Sequence, residues 1–247
     1  MATQKILSNF ASNPKTRKAL DFFNIEGSIM HLASADSVSE LLGRKVTTCP
    51  LARLNKCDTG CLDHQGRGRM DSVTHARLKK TARFFNERSE FIGQLRGELS
   101  LQEKRAAKKG KRSVARLDGT SDLGLAEGLS PEFPGTQFLD YTKVTARYLR
   151  WIRGRKAGRF ANYSLTYSLG AGNRSDAIEV LQAGGNVAVV FRLRKGQPLP
   201  DKWEGFDVID GDLHDFRFLD PENVVVGLRS KGTSYHDRSG FVQEPTQ

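Results

Sequence analysis

Cysteine is scarce in this chain, and so are methionine and tryptophan: three, three and two residues among 247. Acid is short too, with 28 Asp and Glu against 39 Lys and Arg, leaving a formal charge of +11. No apolar run approaches the roughly 18 residues that a membrane-crossing helix needs. The start, Met1-Ala-Thr-Gln-Lys5, has no apolar signal core. These absences predict a soluble, cytoplasmic protein with no membrane partner. The glycine fingerprint of dinucleotide-binding folds is missing as well. Three cysteines are an odd number, which argues against a closed disulfide framework.

What cysteine there is lies together. Cys49, Cys57 and Cys61 fall within thirteen residues, separated by seven residues and then three. Thiols confined to one short segment point to a thiolate metal site. The spacing matches no zinc finger, whose ligands come in close pairs. Three thiolates suit an iron–sulfur cluster, 4Fe–4S above all, with one iron open to a non-protein ligand. Zinc with His64 as fourth ligand is the alternative. Small buried residues that happen to be close are the plain reading, which leaves the clustering of every thiol unexplained.

The rest of the chain has the periodicity of an α/β protein. Residues 1–27 read as a polar extension, 28–232 as one domain and 233–247 as a tail. Ile29–Ala33 reads as a strand, and His31 within it as a core histidine. From about Ser72 to Lys109 the apolar residues recur at three and four, as on one helix face. Gly93 and Gly97 weaken the middle of that stretch, predicting two helices or one with a soft joint. Apolar strands then follow at Val114–Leu117, Gln137–Leu139, Tyr163–Leu169, Val187–Phe191, Phe206–Ile209 and Val224–Leu228. Helices are expected from Lys143 to about Arg155 and around Ser175–Ala183, with Ser175 as cap. Strands apolar throughout and separated by crossovers indicate a mostly parallel sheet. Seven of them predict a full or partial β/α barrel, with the cysteine segment as a metal loop after its first strand.

Polar clusters fall just after the strands, where such folds build their working face. Arg116-Leu-Asp118-Gly-Thr120-Ser121-Asp122 packs two carboxylates, two hydroxyls and a guanidinium around a glycine. It reads as a ligand-holding turn or as a self-capped Asx turn. Asp140, Lys143, Ser168 and Lys231 also follow strands, the lysines able to neutralise phosphate or carboxylate. Asp210 and Asp212 are candidates for a cation or a substrate hydroxyl, or for turn chemistry with Arg217 as ion partner.

The positive charge is clustered. Fifteen Lys or Arg lie between Arg67 and Arg116, and seven more between Lys143 and Arg159. That density fits phosphate contacts with DNA or RNA. The candidate contacts are Lys104, Arg105, Lys108, Lys109, Lys111 and Arg112, then Arg147, Arg150, Arg153, Arg155, Lys156 and Arg159. A solvated helix surface is the plain alternative.

Read in order, a set of short motifs resembles the phage gene-product-88 family. They are Asn13-Pro-Lys-Thr16, His31-Leu-Ala33, Cys49-Pro50, Cys57, Cys61-Leu62, Gly66-Arg-Gly68, Ala76-Arg77, Lys80-Thr81, Arg116-Leu117, Gly119-Thr-Ser-Asp122 and Asp140-Tyr-Thr-Lys143. Val187–Arg192, Asp210-Gly-Asp212, Val226-Gly-Leu228 and Lys231-Gly232 complete it. The resemblance implies a bacteriophage or prophage origin and brings no established activity. Asp118 stands where that pattern has Asn, and Gly124-Leu125 where it has Trp and an acid.

The expected layout is also similar to radical S-adenosylmethionine enzymes, whose three cysteines follow the first barrel strand. Their usual spacing, three residues then two, is not the one here, so that likeness is architectural. Three functions stay open: a cluster-based enzyme binding S-adenosylmethionine or substrate on its open iron, a nucleic-acid-binding protein with a structural metal, and a phage protein that modulates a host enzyme.

Overall fold

The computed structural model describes residues 4–12, 19–57, 61, 68 and 70–245. Its strands are β1 (Leu7–Asn9), β2 (Ile25–Met30), β3 (Arg112–Arg116), β4 (Thr136–Thr142), β5 (Tyr163–Ser168), β6 (Val187–Phe191), β7 (Lys202–Trp203), β8 (Phe206–Asp210) and β9 (Val225–Arg229). The helices are α1 (Ser39–Leu42), α2 (Asp71–Asn86), α3 (Arg88–Lys108), α4 (Leu125–Leu129), α5 (Thr145–Lys156) and α6 (Arg174–Gln182). The strand order is β1-β2-β3-β4-β5-β6-β9-β8-β7, a mostly parallel mixed α/β sheet. That order has two ends, β1 and β7, where a full barrel requires a closed ring. No described helix is long and apolar enough to cross a membrane.

The chain divides into two compact units, and β4 and β5 each contribute to both. The first comprises residues 1–50, 67–140 and 160–164. Here β1 pairs antiparallel with β2, Leu7 opposite Met30, and β2 runs parallel to β3, Ile25 opposite Arg112. β3 runs parallel to β4, Ser113 opposite Thr136. Phe91, Leu95, Leu99, Gln102 and Ala106 recur every three or four residues and form the buried ridge of α3. The ridge packs on β2 and β3. Gln102 Nε2 donates to Ser113 Oγ and Val114 O, both at 3.0 Å, so the one polar residue on the ridge is satisfied.

The predicted helix break is present but displaced. α2 ends at Asn86, and Glu87 (φ −128°, ψ 46°) separates it from α3. Gly93 and Gly97 lie inside α3 on its exposed side, with nothing within 4 Å of a Cβ built on either. Docking of the opposite face holds the helix through both glycines, so packing overrides their propensity.

The second unit comprises residues 51–66, 141–159 and 165–247. β5 runs parallel to β6 and β6 to β9, while β8 pairs parallel with the other edge of β9. The two-residue β7 pairs antiparallel with β8. Tyr167, Val187, Val189, Phe191, Val225 and Val226 are wholly buried, as are Ala177, Val180 and Leu181 of α6. α5 buries Tyr148, Trp151 and Ile152 and exposes Arg150, Arg153 and Arg155. Asn173, not Ser175, stands at the N-cap of α6. Its Oδ1 accepts from Gly170 N at 2.7 Å, tying the preceding loop.

All seven predicted strands are present. β1 and β7 were not expected, since three and two residues are too short to show a period. β2 lies earlier than Ile29–Ala33, so His31 falls just past the strand rather than within it.

Candidate functional site

In the first unit, polar residues meet where β2, β3 and β4 end. Gly119 lies against β2: its N–H donates to Met30 O at 3.0 Å. A Cβ there would stand 2.5 Å from Met30 O and 2.8 Å from His31 Nδ1, so the residue after Asp118 must be glycine. Thr120 Oγ1 donates to Leu32 O at 2.5 Å. The cysteine segment begins on the same turn. Asp122 N donates to Thr48 O at 2.8 Å, and Cys49 Sγ lies 3.7 Å from Thr120 O. Thr48 Oγ1 donates in turn to Ala33 O at 2.8 Å.

Two carboxylates sit beneath this turn, Asp118 at 2 % exposure and Asp140 at 1 %. Their environments differ. Asp118 Oδ1 accepts from Ser121 Oγ at 2.5 Å and Leu123 N at 3.0 Å, and its Oδ2 accepts from Gly124 N at 2.7 Å. That is the self-capped turn, built around an anion. Asp140 Oδ1 accepts from Asp118 N at 2.7 Å. Its Oδ2 is buried and has no hydrogen-bond partner among the described residues.

Burial pushes the Asp140 carboxyl well above its ordinary range, and the charge of Asp118 adds to this. The Asp118 N–H and Arg116 oppose it, while Asp122 raises it further. Burial also raises Asp118, against its three donors. Both carboxyls are raised, Asp140 the more strongly, and donors reach both oxygens of Asp118 but only one of Asp140 among the described residues, so Asp140 is the better proton holder of the two. Arg116 Nε donates to Asp118 O at 3.3 Å, at the rim of the pair. A carboxyl whose protonated form burial favours, beside a second buried acid held by three donors, is suited to proton transfer.

The second unit carries the remaining strand-end candidates. Lys143 Nζ donates to Ser168 Oγ at 2.6 Å and Leu169 O at 3.0 Å. Asp210 takes Arg229 Nη1 on both oxygens at 2.9 Å. Asp212 takes Arg229 N at 3.0 Å on Oδ2 and Lys231 Nζ at 2.9 Å on Oδ1. Asp210 and Asp212 thus close their own turn, with Arg229 rather than the expected Arg217 as ion partner. Arg217 is committed elsewhere, to Asp220 at 3.1 Å.

None of the three cysteines forms a disulfide among the described residues, and each is half-buried. Cys57 Sγ lies 3.6 Å from Ala52 O. Its turn is pressed onto the glycine loop after β5: Ala171 N donates to Asn55 O at 3.0 Å, and a Cβ at Gly170 would stand 2.5 Å from Asn55 Cβ. Nothing in the spacing of the sequence marked this contact. Among the described residues no three His, Cys, Asp or Glu form a metal-holding group, and His64 lies outside those residues.

Most of the basic candidates lie on the last turns of helices that lead into strands. Lys104, Arg105, Lys108 and Lys109 occupy the last turns of α3, with Lys111 and Arg112 entering β3. Several are neutralised: Arg105 and Lys109 by Glu26 (3.9 and 3.0 Å), and Lys111 by Asp21 (3.6 Å). Lys104 and Lys108 are exposed and make no ion pair among the described residues. On α5, Arg155 pairs with Glu222 at 2.8 Å, Lys156 donates to Ala183 O at 3.0 Å, and Arg147 to Thr142 Oγ1 at 3.3 Å. Arg150, Arg153 and Arg159 are exposed.

Parallel strands with acids, hydroxyls and a thiol at their carboxyl ends define the class: a mixed α/β protein with its polar chemistry at the strand ends. Within that class the chain belongs to the phage gene-product-88 family, whose model, Gene product 88, matches residues 5–245. No curated protein and no solved structure matches the chain.

Proposed function

We propose that this protein is an enzyme acting on a small molecule at the carboxyl ends of β3 and β4, with Asp140 as its proton-carrying group. One observation carries the reading: a buried carboxyl oxygen without a hydrogen-bond partner among the described residues, beside a second buried acid. Such a group costs about 1–3 kcal/mol. A turn that needed only an acceptor for the Asp118 N–H could use a hydroxyl there, with no second oxygen to bury.

The cysteine segment belongs to this reading as a metal centre. Three thiolates are the right donors for an iron–sulfur cluster or for zinc. Metal binding would couple to folding of the segment from about Val46 to Gly68, because the unbound chain has no need to preform a set of three thiolates. With a 4Fe–4S cluster in place, the open iron would supply a binding point for S-adenosylmethionine or substrate. Cys49 lies against the turn that carries Asp122, which would help to orient that ligand.

The test is anaerobic purification with a visible spectrum and iron, sulfide and zinc analysis, followed by calorimetric titration with S-adenosylmethionine. Metal should be lost in Cys49→Ala, Cys57→Ala and Cys61→Ala, and ligand binding weakened in Asp140→Asn. Full metal retention in the triple alanine variant refutes the thiolate centre. A metal-loaded Asp140→Asn protein that binds as wild type does refutes the role of the acid.

A second reading, nucleic-acid binding, is supported by the exposed cations at the ends of α3 and α5. Their affinity would fall steeply with salt and show little sequence preference. Filter binding of single- and double-stranded DNA and RNA across a salt series tests it. No binding at low salt would leave those cations as solubilising charge.

A further inference from the structure

In the second unit the last described residues fold back over the carboxyl ends of β5 and β6. Gln243 forms a parallel bridge with Phe191: its N–H donates to Val190 O and its carbonyl accepts from Arg192 N, both at 2.8 Å. Gly240 is set against Ala171, in the glycine loop after β5.

Side chains of this one segment engage three cations. The Phe241 ring lies 5.4 Å from Lys143 Nζ. Gln243 Oε1 accepts from Arg174 Nη1 at 2.8 Å, and Glu244 Oε1 from Arg192 Nε at 2.6 Å. Phe241 and Glu244 are three residues apart, so roughly 10 Å of chain spans the contacts. An aromatic face, an amide oxygen and a carboxylate are what cations accept in place of an anion.

We propose that Lys143, Arg174 and Arg192 form a phosphate-binding ledge, and that residues 240–244 are an internal stand-in for the phosphate-bearing ligand. Ser168, whose hydroxyl already meets Lys143 at 2.6 Å, adds a neutral donor. Glu204 pairs with Arg174 and offsets one charge. With the segment lifted, Arg192 keeps its bonds to the main-chain oxygens of Tyr235 and Asp237, which hold its guanidinium in place without neutralising it. Lysine supplies a compact point charge and arginine a planar fork, the pairing that phosphate oxygens select. The ledge uses neither the cysteines nor Asp118 and Asp140, so its failure and that of the enzyme reading are separable.

Amide hydrogen exchange on the wild-type chain with inorganic pyrophosphate is the first test, with single-stranded oligonucleotide as a second arm. Displacement exposes the Gln243 and Arg192 amides, so their exchange should rise. A rise with pyrophosphate identifies free phosphate compounds as the ligand; a rise with oligonucleotide alone identifies a polymer backbone.

Binding is then measured in Phe241→Ala/Glu244→Gln. An internal competitor lowers apparent affinity by the fraction of time that it is lifted, so this variant should bind at least about tenfold more tightly than wild type. Adding Lys143→Ala should remove the gain. Unchanged exchange with both probes overturns the proposal. So does equal affinity in wild type and a folded tail variant, which would make the segment a structural strap only.

Discussion

Replacing Asp140 by asparagine tests the physical core of the candidate site. The amide keeps an oxygen for the Asp118 N–H, now at 2.7 Å, and nearly the same shape. It puts two donors in the buried place of Oδ2, which has no hydrogen-bond partner among the described residues. At low pH, where wild-type Asp140 is neutral, the variant should therefore be less stable by about 1–3 kcal/mol.

The balance changes as pH rises. The folded carboxyl titrates well above the ordinary value of 3.8, so its contribution is fully present below that value and is lost as pH climbs towards the raised one. Within that window, each pH unit removes about 1.4 kcal/mol from wild type and nothing from the asparagine variant. The deficit of Asp140→Asn should shrink steadily from pH 4 upward, and reverse if the window exceeds about two units. Urea unfolding of both proteins between pH 4 and 8, at constant slope, reads the difference directly. Parallel stability curves would show that Asp140 ionises normally, and the proton-carrying role would fall with them.

Four further substitutions test the packing around the candidates. Gly93→Ala and Gly97→Ala, on the exposed face of α3, should each stabilise by about 0.5–1 kcal/mol in thermal or urea melts; a loss would show that the glycines are needed. Gly170→Ala drives a Cβ into Asn55 and should cost about 1–3 kcal/mol. It should also speed amide exchange at Cys57, whereas unchanged exchange would mean that the turn does not rest on that loop. Lys231→Ala removes one half-exposed ion pair to Asp212 and should cost less than about 1 kcal/mol. A large loss there would mean that the Asp210–Asp212 turn is more than self-closing.

Continuous apolar runs and the period-three-to-four pattern were enough to place the interior strands and the long helices. Hydrophobic burial has the same spacing in any sheet or helix. The candidate acids were legible for a related reason: in parallel α/β proteins a polar residue after an apolar strand has only one end of the sheet to occupy. Family membership, too, was readable from ordered motifs, because it depends on residues and their sequence rather than on contacts.

Tertiary structure decided what each of those residues does. Asp118 collects its three donors from its own turn, as the local Asx reading allowed, whereas packing buries the second oxygen of Asp140 with no hydrogen-bond partner among the described residues. Arg229, not the nearer Arg217, takes Asp210, because strand pairing brings residues nineteen apart into contact while Arg217 turns inward to Asp220. Gly93 and Gly97 look like a joint in one dimension and are merely the outer face of a docked helix in three. Spacing along the chain records periodicity and local turn chemistry. Which charges are buried and what they face depends on residues far apart in sequence, and that is settled only when the segments pack.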